Sequence, residues 1–255
     1  MCIRDSHAPM AIKCMELGAH VFVEVPLANT IEDLWKIVNT SEKTQRHCMM
    51  LENVNYGREE LMFLNICRQG KIGEFLHAEA AYIHDLRSQM MEKNQNLQIP
   101  DNHPGTGSWR TKQYSKKGNL YPTHGLGPVA QYMSLVRKAD NFSKIISLSS
   151  PSRGRKLFAK ENFSKEDEWN KINYQGDINT SIIKTHLGKT IMIQWDETSP
   201  RPYTRHNLIQ GTKGILAGFP TRVFFDNKDS ALSGEHSGWI QGDNLKYYMK
   251  NTIIP

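Results

Sequence analysis

The first part of the chain alternates between amphipathic segments and short apolar runs. Apolar residues at helical spacing follow Pro9 and stop at Gly18, as in a helix with proline in its first turn and glycine at its end. The β-branched run 19–25 predicts a buried parallel strand. Thr30 is placed to cap a second helix, and residues 48–52 predict a second strand. This alternation indicates a βαβ unit.

A third helix is predicted over residues 58–68, and the strands that follow it are longer. Glycines within 187–190 and 211–214 predict hairpin turns. We therefore expect an α/β chain, with a partial Rossmann-type parallel βαβ unit in residues 7–55 and an α+β domain with a large, mostly antiparallel sheet in residues 56–255. The strand candidates of the second domain are residues 74–84, 142–149, 178–187, 190–198, 206–211 and 214–226.

The sequence Tyr-Pro-Thr-His-Gly-Leu-Gly-Pro, which starts at Tyr121, brings a phenol, an imidazole and two glycines to a loop–helix junction. Pro122 fixes a helical backbone torsion, Thr123 is placed to cap, and apolar spacing predicts a helix over 124–137. His124 then lies in the first turn, where it could accept or relay a proton. The same pattern also fits a capped helix whose side chains only complete local hydrogen bonds.

Polar residues also follow the two predicted parallel strands. Glu24 ends the first strand, and Glu52 and Asn53 end the second. Ligands bind beyond the carboxyl ends of strands in open parallel sheets, so these residues are candidates for a site. The alternative is that Glu52 and Asn53 only end a strand and cap the next helix.

Residues 82–87 form a dense polar segment in which Asp85 and Arg87 are expected to pair as a structural ion pair and His84 to have no chemical role. The following residues, 88–120, lack periodicity, which is typical of functional or disordered loops. Arg110 lies in this stretch.

The amino-acid composition argues against several classes of protein. The 255 residues are 38% hydrophobic, which suffices for a substantial core, and no apolar run is long enough for a membrane-spanning helix. The net charge of +6 is spread over predicted loops, so nucleic-acid binding is not expected. The four cysteines have no paired spacing and are interpreted as buried thiols, with no metal site predicted.

Several short segments together resemble one family. Residues 7–226 are similar to bacterial glycoside hydrolase family 109, the NAD-dependent α-N-acetylgalactosaminidases, within the glucose–fructose oxidoreductase-like (Gfo/Idh/MocA) superfamily. The segments that carry the resemblance are 7–11, 23–26, 48–53, 82–87, 118–128, 200–203 and 211–214.

The resemblance implies NAD as cofactor and a substrate with terminal α-linked N-acetylgalactosamine. It implies NAD contacts for His7, Glu24, Val25 and Asn53. The positions that it implies around the sugar are Tyr82, Arg110, Tyr121, Pro122, Thr123, His124 and Tyr203. For catalysis we expect His124 and Tyr121 to handle the proton of the C3 hydroxyl, with Tyr82 or Glu52 serving C2 or the leaving group.

The implied reaction is oxidation at C3 by NAD, elimination, hydration and reduction, so the cofactor is regenerated in each turnover. Oxidation acidifies the C2 proton, and its removal expels the C1 oxygen. Related sugar dehydrogenases carry a lysine in a Glu-Lys-Pro motif, whereas this chain has Val25 at that position. Valine cannot relay a proton, which favours the glycosidase over an NAD(P)-dependent sugar oxidoreductase. An inactive sugar-binding remnant is the third reading.

The chain departs from the family pattern at both ends. It has no GxGxxG turn for the pyrophosphate, residues 1–6 look like an unmatched leader, and the family continues beyond residue 255. We therefore expect a fragment that is inactive alone. Compartment and homo-oligomerisation are left open.

Overall fold

The computed structural model describes residues 6–87, 91, 118–136, 139–226 and 238–252. These residues form two compact units. The first contains residues 6–53 and 91, and the second contains residues 54–87 and the described residues from 118 onward.

The first unit is built on two parallel strands. Its elements are α1 (His7–Glu16), β1 (Val21–Glu24), α2 (Ile31–Thr44) and β2 (Cys48–Leu51), with Val21 opposite Cys48. Gly18 has a φ of +89°, which ends α1, and the Thr30 hydroxyl accepts a hydrogen bond from the Asp33 N–H at 3.1 Å, which confirms the predicted cap. Met15 and Ile37 are buried together between the helices and the strands.

The second unit contains an eight-stranded sheet in the order β10-β9-β8-β7-β3-β6-β5-β4. Its strands are β3 (Phe75–Ile83), β4 (Phe142–Ser149), β5 (Asn179–Thr185), β6 (Thr190–Asp196), β7 (Leu208–Gly211), β8 (Gly214–Ala217), β9 (Arg222–Phe225) and β10 (Ile240–Gln241). The central strand β3 pairs in parallel with β6 and antiparallel with β7. The remaining pairs are antiparallel.

Helices share a buried core with this sheet. Among the described residues of the unit, the helices are α3 (Arg58–Arg68), α4 (Thr123–Tyr132), α5 (Gly154–Asn162), α6 (Glu168–Lys171) and α7 (Lys246–Thr252). Phe63 of α3 and Val129 of α4 are fully buried in one core with Ile191 of β6 and Ile209 of β7. The predicted fold class, a parallel βαβ unit followed by a mostly antiparallel sheet, is confirmed.

Several local predictions were wrong. The strand predicted over 214–226 is two strands, because Gly218 and Pro220 interrupt the run and proline cannot donate to a sheet ladder. The helix predicted over 124–137 ends at Tyr132. Cys14 is exposed on the outer side of α1, while Cys67 is buried as expected. Helices α5, α6 and α7 were not predicted.

Candidate active site

Aromatic and imidazole side chains from three parts of the second unit meet at the carboxyl end of β3. The ring of Tyr82, on β3, lies 4.9 Å from that of Tyr121 and 5.2 Å from that of His124, measured between centroids. Tyr121 and His124 are 4.6 Å apart, and Tyr203 is 6.3 Å from Tyr82. We call Tyr82, His84, Tyr121, His124 and Tyr203 the aromatic cluster.

The close approach of α4 to β3 depends on a glycine. A Cβ atom on Gly125 would lie 2.5 Å from the backbone nitrogen of Ala81 and 2.7 Å from its carbonyl oxygen. Only a residue without a side chain fits there, because the obstructing atoms belong to the backbone of a central strand. Since Ala81 precedes Tyr82 and Gly125 follows His124, this contact sets the two rings side by side.

The start of α4 differs in detail from the prediction. Thr123 is already the first helical residue and Pro122 precedes it, so the predicted Thr123 cap was wrong: the helix begins without a side-chain cap hydrogen bond. The carbonyl of Pro122 accepts the first helical hydrogen bond, from the Leu126 N–H at 2.8 Å. His124 lies in the first turn as predicted.

Tyr203 is held beside β3 by main-chain hydrogen bonds. The Thr204 N–H donates to the Ile83 carbonyl at 3.1 Å, and the Ile83 N–H donates back to Thr204 at 3.0 Å. Tyr203 is 43% exposed, and its ring lies 5.5 Å from the ring of Phe219. The ring therefore forms an accessible wall of the cluster, and aromatic side chains commonly line the sites of small-molecule ligands.

Sequence reasoning gave His84 no role, but its ring lies 5.4 Å from Tyr203 and 6.3 Å from Tyr82. The signal that could have found it is the i, i+2 spacing from Tyr82, because alternate residues of an extended chain share a face. The expected ion pair next to it is confirmed: Arg87 Nη2 lies 2.8 Å from Asp85 Oδ2. The hydrogen bond from Arg87 lowers the pKa of Asp85 from its ordinary value.

The predicted cofactor residues lie at the carboxyl edge of the two strands in the first unit. Glu24, which is exposed, ends β1 opposite Leu51, and the exposed Asn53 follows β2. His7 Nδ1 donates to the carbonyl of Pro26 at 2.8 Å, which brings α1 next to the end of β1. Val25 lies in the same turn and is buried.

These residues suit a dinucleotide. An exposed carboxylate and an exposed amide at the carboxyl edge of parallel strands can hydrogen-bond to ribose hydroxyls. Glu52, at the end of β2, is 3% exposed and lies in the same unit, not in the unit that carries the aromatic cluster. Arg110 lies outside the described residues, as does most of the predicted loop 88–120.

The described parts of the chain contain neither a metal-binding cluster nor a membrane-spanning helix. There, histidine, cysteine and carboxylate side chains form no group of three that could hold a metal ion. No helix within the described ranges is long and apolar enough to cross a membrane.

Family profiles match both parts of the chain. Residues 56–251 match the profile described as "Glycosyl hydrolase 109, C-terminal domain". The chain belongs to glycosyl hydrolase family 109. Residues 1–52 of the family 109 chain match "Oxidoreductase family, NAD-binding Rossmann fold", a match that includes the six residues interpreted above as a leader.

Relatives of the family 109 chain are similar over nearly all of its length. "Glycosyl hydrolase family 109 protein 1" of Akkermansia muciniphila is 56% identical over 238 residues, which is 92% of this chain and 47% of that protein. A Shewanella oneidensis protein named "Alpha-N-acetylgalactosaminidase" is 58% identical over 246 residues, 96% of this chain and 51% of that protein. The chain thus spans about half the length of these relatives.

A solved structure shares the fold. Levoglucosan dehydrogenase, in complex with NADH and levoglucosan, is 19% identical with a TM-score of 0.62, and the match covers 89% of this chain and 56% of that one. At this identity the likeness extends to the fold alone.

Proposed function

We propose that the family 109 chain belongs to an enzyme that hydrolyses terminal α-linked N-acetylgalactosamine by oxidation, elimination, hydration and reduction with NAD. The observation that carries the proposal is the aromatic cluster, where two imidazoles and three phenols converge at the carboxyl end of β3. The Shewanella relative named above supports the substrate.

The chemistry of the cluster suits this route better than ordinary glycoside hydrolysis. The usual mechanism needs two carboxylates flanking the scissile bond, and the five residues of the cluster contain none. An oxidation route instead needs groups that move protons at a hydroxyl and at a carbon next to a ketone. Histidine and tyrosine can do both.

Each residue has a defined part in the proposal. His124 and Tyr121, with rings 4.6 Å apart, handle the proton of the C3 hydroxyl. Tyr82 takes the C2 proton or serves the leaving group, with Glu52 as the alternative for that step. Tyr203 and Arg110 bind the hydroxyl and acetamido groups of the sugar.

His7, Glu24, Val25 and Asn53 are the residues proposed to contact NAD. When bound, NAD supplies a reversible hydride acceptor for C3. The exposed Glu24 carboxylate and Asn53 amide bind and orient the cofactor through its ribose hydroxyls.

The first test is release of p-nitrophenol from p-nitrophenyl α-N-acetylgalactosaminide, with and without NAD. It is run on this chain and on a version extended to the length of its relatives. Activity that requires NAD, with no net change at the nicotinamide absorbance band, is the expected result for the extended protein. No release under any condition would contradict the proposed activity.

The role of His124 at the C3 hydroxyl is tested by exchange of the C2 proton in deuterated solvent, because that proton becomes acidic only after C3 is oxidised. His124→Ala in the extended protein should abolish this exchange while the circular dichroism spectrum is retained. His186→Ala is the matched control, because His186 lies outside the aromatic cluster, in the hairpin between β5 and β6. Exchange at the wild-type rate in His124→Ala would exclude His124 as a proton-transfer residue.

A sugar oxidoreductase is the second candidate, favoured by the oxidoreductase profile over residues 1–52. Val25 argues against it, because valine cannot relay a proton. Net accumulation of reduced nicotinamide during turnover would select this alternative.

A further inference from the structure

A buried polar network lies next to the aromatic cluster and has no part in the proposed chemistry. Arg205 Nη2 donates to Glu60 Oε1 at 2.5 Å, and Asn207 Nδ2 donates to the same oxygen at 3.4 Å. The Tyr132 hydroxyl donates to Asn207 Oδ1 at 3.1 Å. Each of these four residues is no more than 8% exposed. We call them the buried network.

The buried network joins the elements that carry the site residues. Glu60 belongs to α3, and Tyr132 is the last residue of α4, whose first turn carries His124. Arg205 and Asn207 follow Tyr203 in the chain. The network therefore ties the helix that bears His124 to the segment that bears Tyr203.

Arg205 also reaches the Tyr203 ring through an aromatic neighbour. Its guanidinium carbon lies 5.2 Å from the centroid of the Phe219 ring, and Phe219 in turn lies 5.5 Å from Tyr203. The carbonyl of Arg205 accepts a hydrogen bond from the Ala81 N–H at 2.8 Å. One residue thus constrains both the backbone after Tyr203 and the ring against which Tyr203 packs.

We propose that Arg205 is a positioning residue of the sugar site: paired with Glu60, it holds Phe219 and Tyr203 so that the Tyr203 ring forms one wall of the sugar pocket. This inference rests on the proposed function and adds a determinant of sugar binding to it. Arg205 acts through Tyr203, so its loss should weaken sugar binding more than it slows the chemical steps.

The guanidinium is suited to this role because it does two things at once. It donates to the Glu60 carboxylate, and its central carbon lies 5.2 Å from the centroid of the Phe219 ring, within cation–π range. Lysine in its place keeps the positive charge near Glu60 and lacks the guanidinium. Arg205→Lys therefore removes the contact of the guanidinium with Phe219 and keeps a cation that can pair with Glu60.

The ring position can be read without any sugar. Tyrosines are replaced by 3-fluorotyrosine, and the ¹⁹F resonance of Tyr203 is assigned with Tyr203→Phe. Arg205→Lys should shift or broaden this resonance, because the environment set by Phe219 changes. An unchanged Tyr203 resonance would overturn the proposal.

Arg155→Lys is the matched control. Arg155 is 2% exposed, lies near the Asp177 carboxylate and has its guanidinium 5.4 Å from the ring of Trp195. Its replacement removes a comparable buried contact between a guanidinium and an aromatic ring, and this contact does not involve Phe219. The Tyr203 resonance should keep its position in this variant, and an equal shift in both variants would mean that the effect is general loosening.

Sugar affinity provides the functional readout, measured in the extended protein with N-acetylgalactosamine by calorimetry, well below the unfolding temperature. Arg205→Lys should weaken binding roughly tenfold, a loss within the range measured for coupling between residues in contact. In a Tyr203→Ala background the same change should add little, because Arg205 acts through that ring. Full additivity of the two losses would contradict the proposal.

The proposed function can be refuted independently of the role of Arg205. If wild-type protein binds no N-acetylgalactosamine with or without NAD, the substrate assignment is wrong. The ¹⁹F shifts would still decide whether Arg205 positions Tyr203.

Discussion

Gly125→Ala tests the contact that brings α4 against β3. In most helices this change stabilises a protein by up to about 1 kcal/mol, because alanine is the better helix former. At Gly125 we expect the opposite sign. The new Cβ would lie 2.5 Å from the Ala81 nitrogen, about 0.9 Å closer than ordinary van der Waals contact, which begins near 3.4 Å.

The clash cannot be relieved by a side-chain rotation. The obstructing atoms are the backbone of a strand that pairs on both sides, with β6 and with β7. The helix must therefore retreat. Overpacking of this kind costs about 1–3 kcal/mol, and a shift of His124 by nearly 1 Å should lower catalytic efficiency roughly 100-fold.

The free energy of unfolding of Gly125→Ala is measured by urea denaturation. A loss of about 2 kcal/mol corresponds to a fall in the urea midpoint of about 1 M for a typical slope. Gly238→Ala is the matched control, because a Cβ on Gly238 meets nothing within 4 Å. A Gly125→Ala protein as stable as wild type or more so, with unchanged turnover in the extended protein, would refute the reasoning.

Two further predictions concern titrating side chains. Burial alone would raise the pKa of Asp140, but hydrogen bonds from the Leu187 N–H and Lys189 outweigh it and lower the pKa from 3.8 to about 2. The ionised Asp140 therefore stabilises the fold fully above about pH 4, and this contribution is lost as the pH falls toward 2. Asp140→Asn should lower the free energy of unfolding by at least about 1 kcal/mol at pH 7 and by progressively less below pH 4, as measured by urea titration. Burial raises the pKa of Cys67 to about 12, whereas Cys14 is exposed. Iodoacetamide at pH 8 should label Cys14 in the native protein and Cys67 only after unfolding, as read by peptide mass mapping; rapid native labelling of Cys67 would contradict its burial.

Most of the fold could be predicted because local signals and tertiary packing agree. The helix over 58–68 has the predicted bounds, and the turn at 211–214 joins two antiparallel strands as its glycines indicated. The prediction failed where no local period exists. Helix α5 has a polar sequence, and it begins where the Asp177 carboxylate, more than twenty residues away, accepts hydrogen bonds from the N–H groups of Arg153 and Gly154.

The site was predictable only in part for the same reason. Tyr121 and His124 are neighbours in sequence, and the resemblance added Tyr82 and Tyr203. The structure brings these four rings together. The ion pair of Arg205 with Glu60 joins residues 145 positions apart, and neither residue type is expected in a core. No pattern in the sequence therefore predicted this pair.

The parallel pairing of β3 has a consequence for how the protein is made. The side chain of His77 on β3 forms a hydrogen bond with that of Thr190 on β6, 113 residues later in the chain, and β7 follows β6. At translation rates of about 5–20 residues per second, β3 leaves the ribosome roughly 6–23 s before its first neighbour exists. During that interval a strand destined for the middle of the sheet has two bare edges, so co-translational chaperones should bind the nascent chain there.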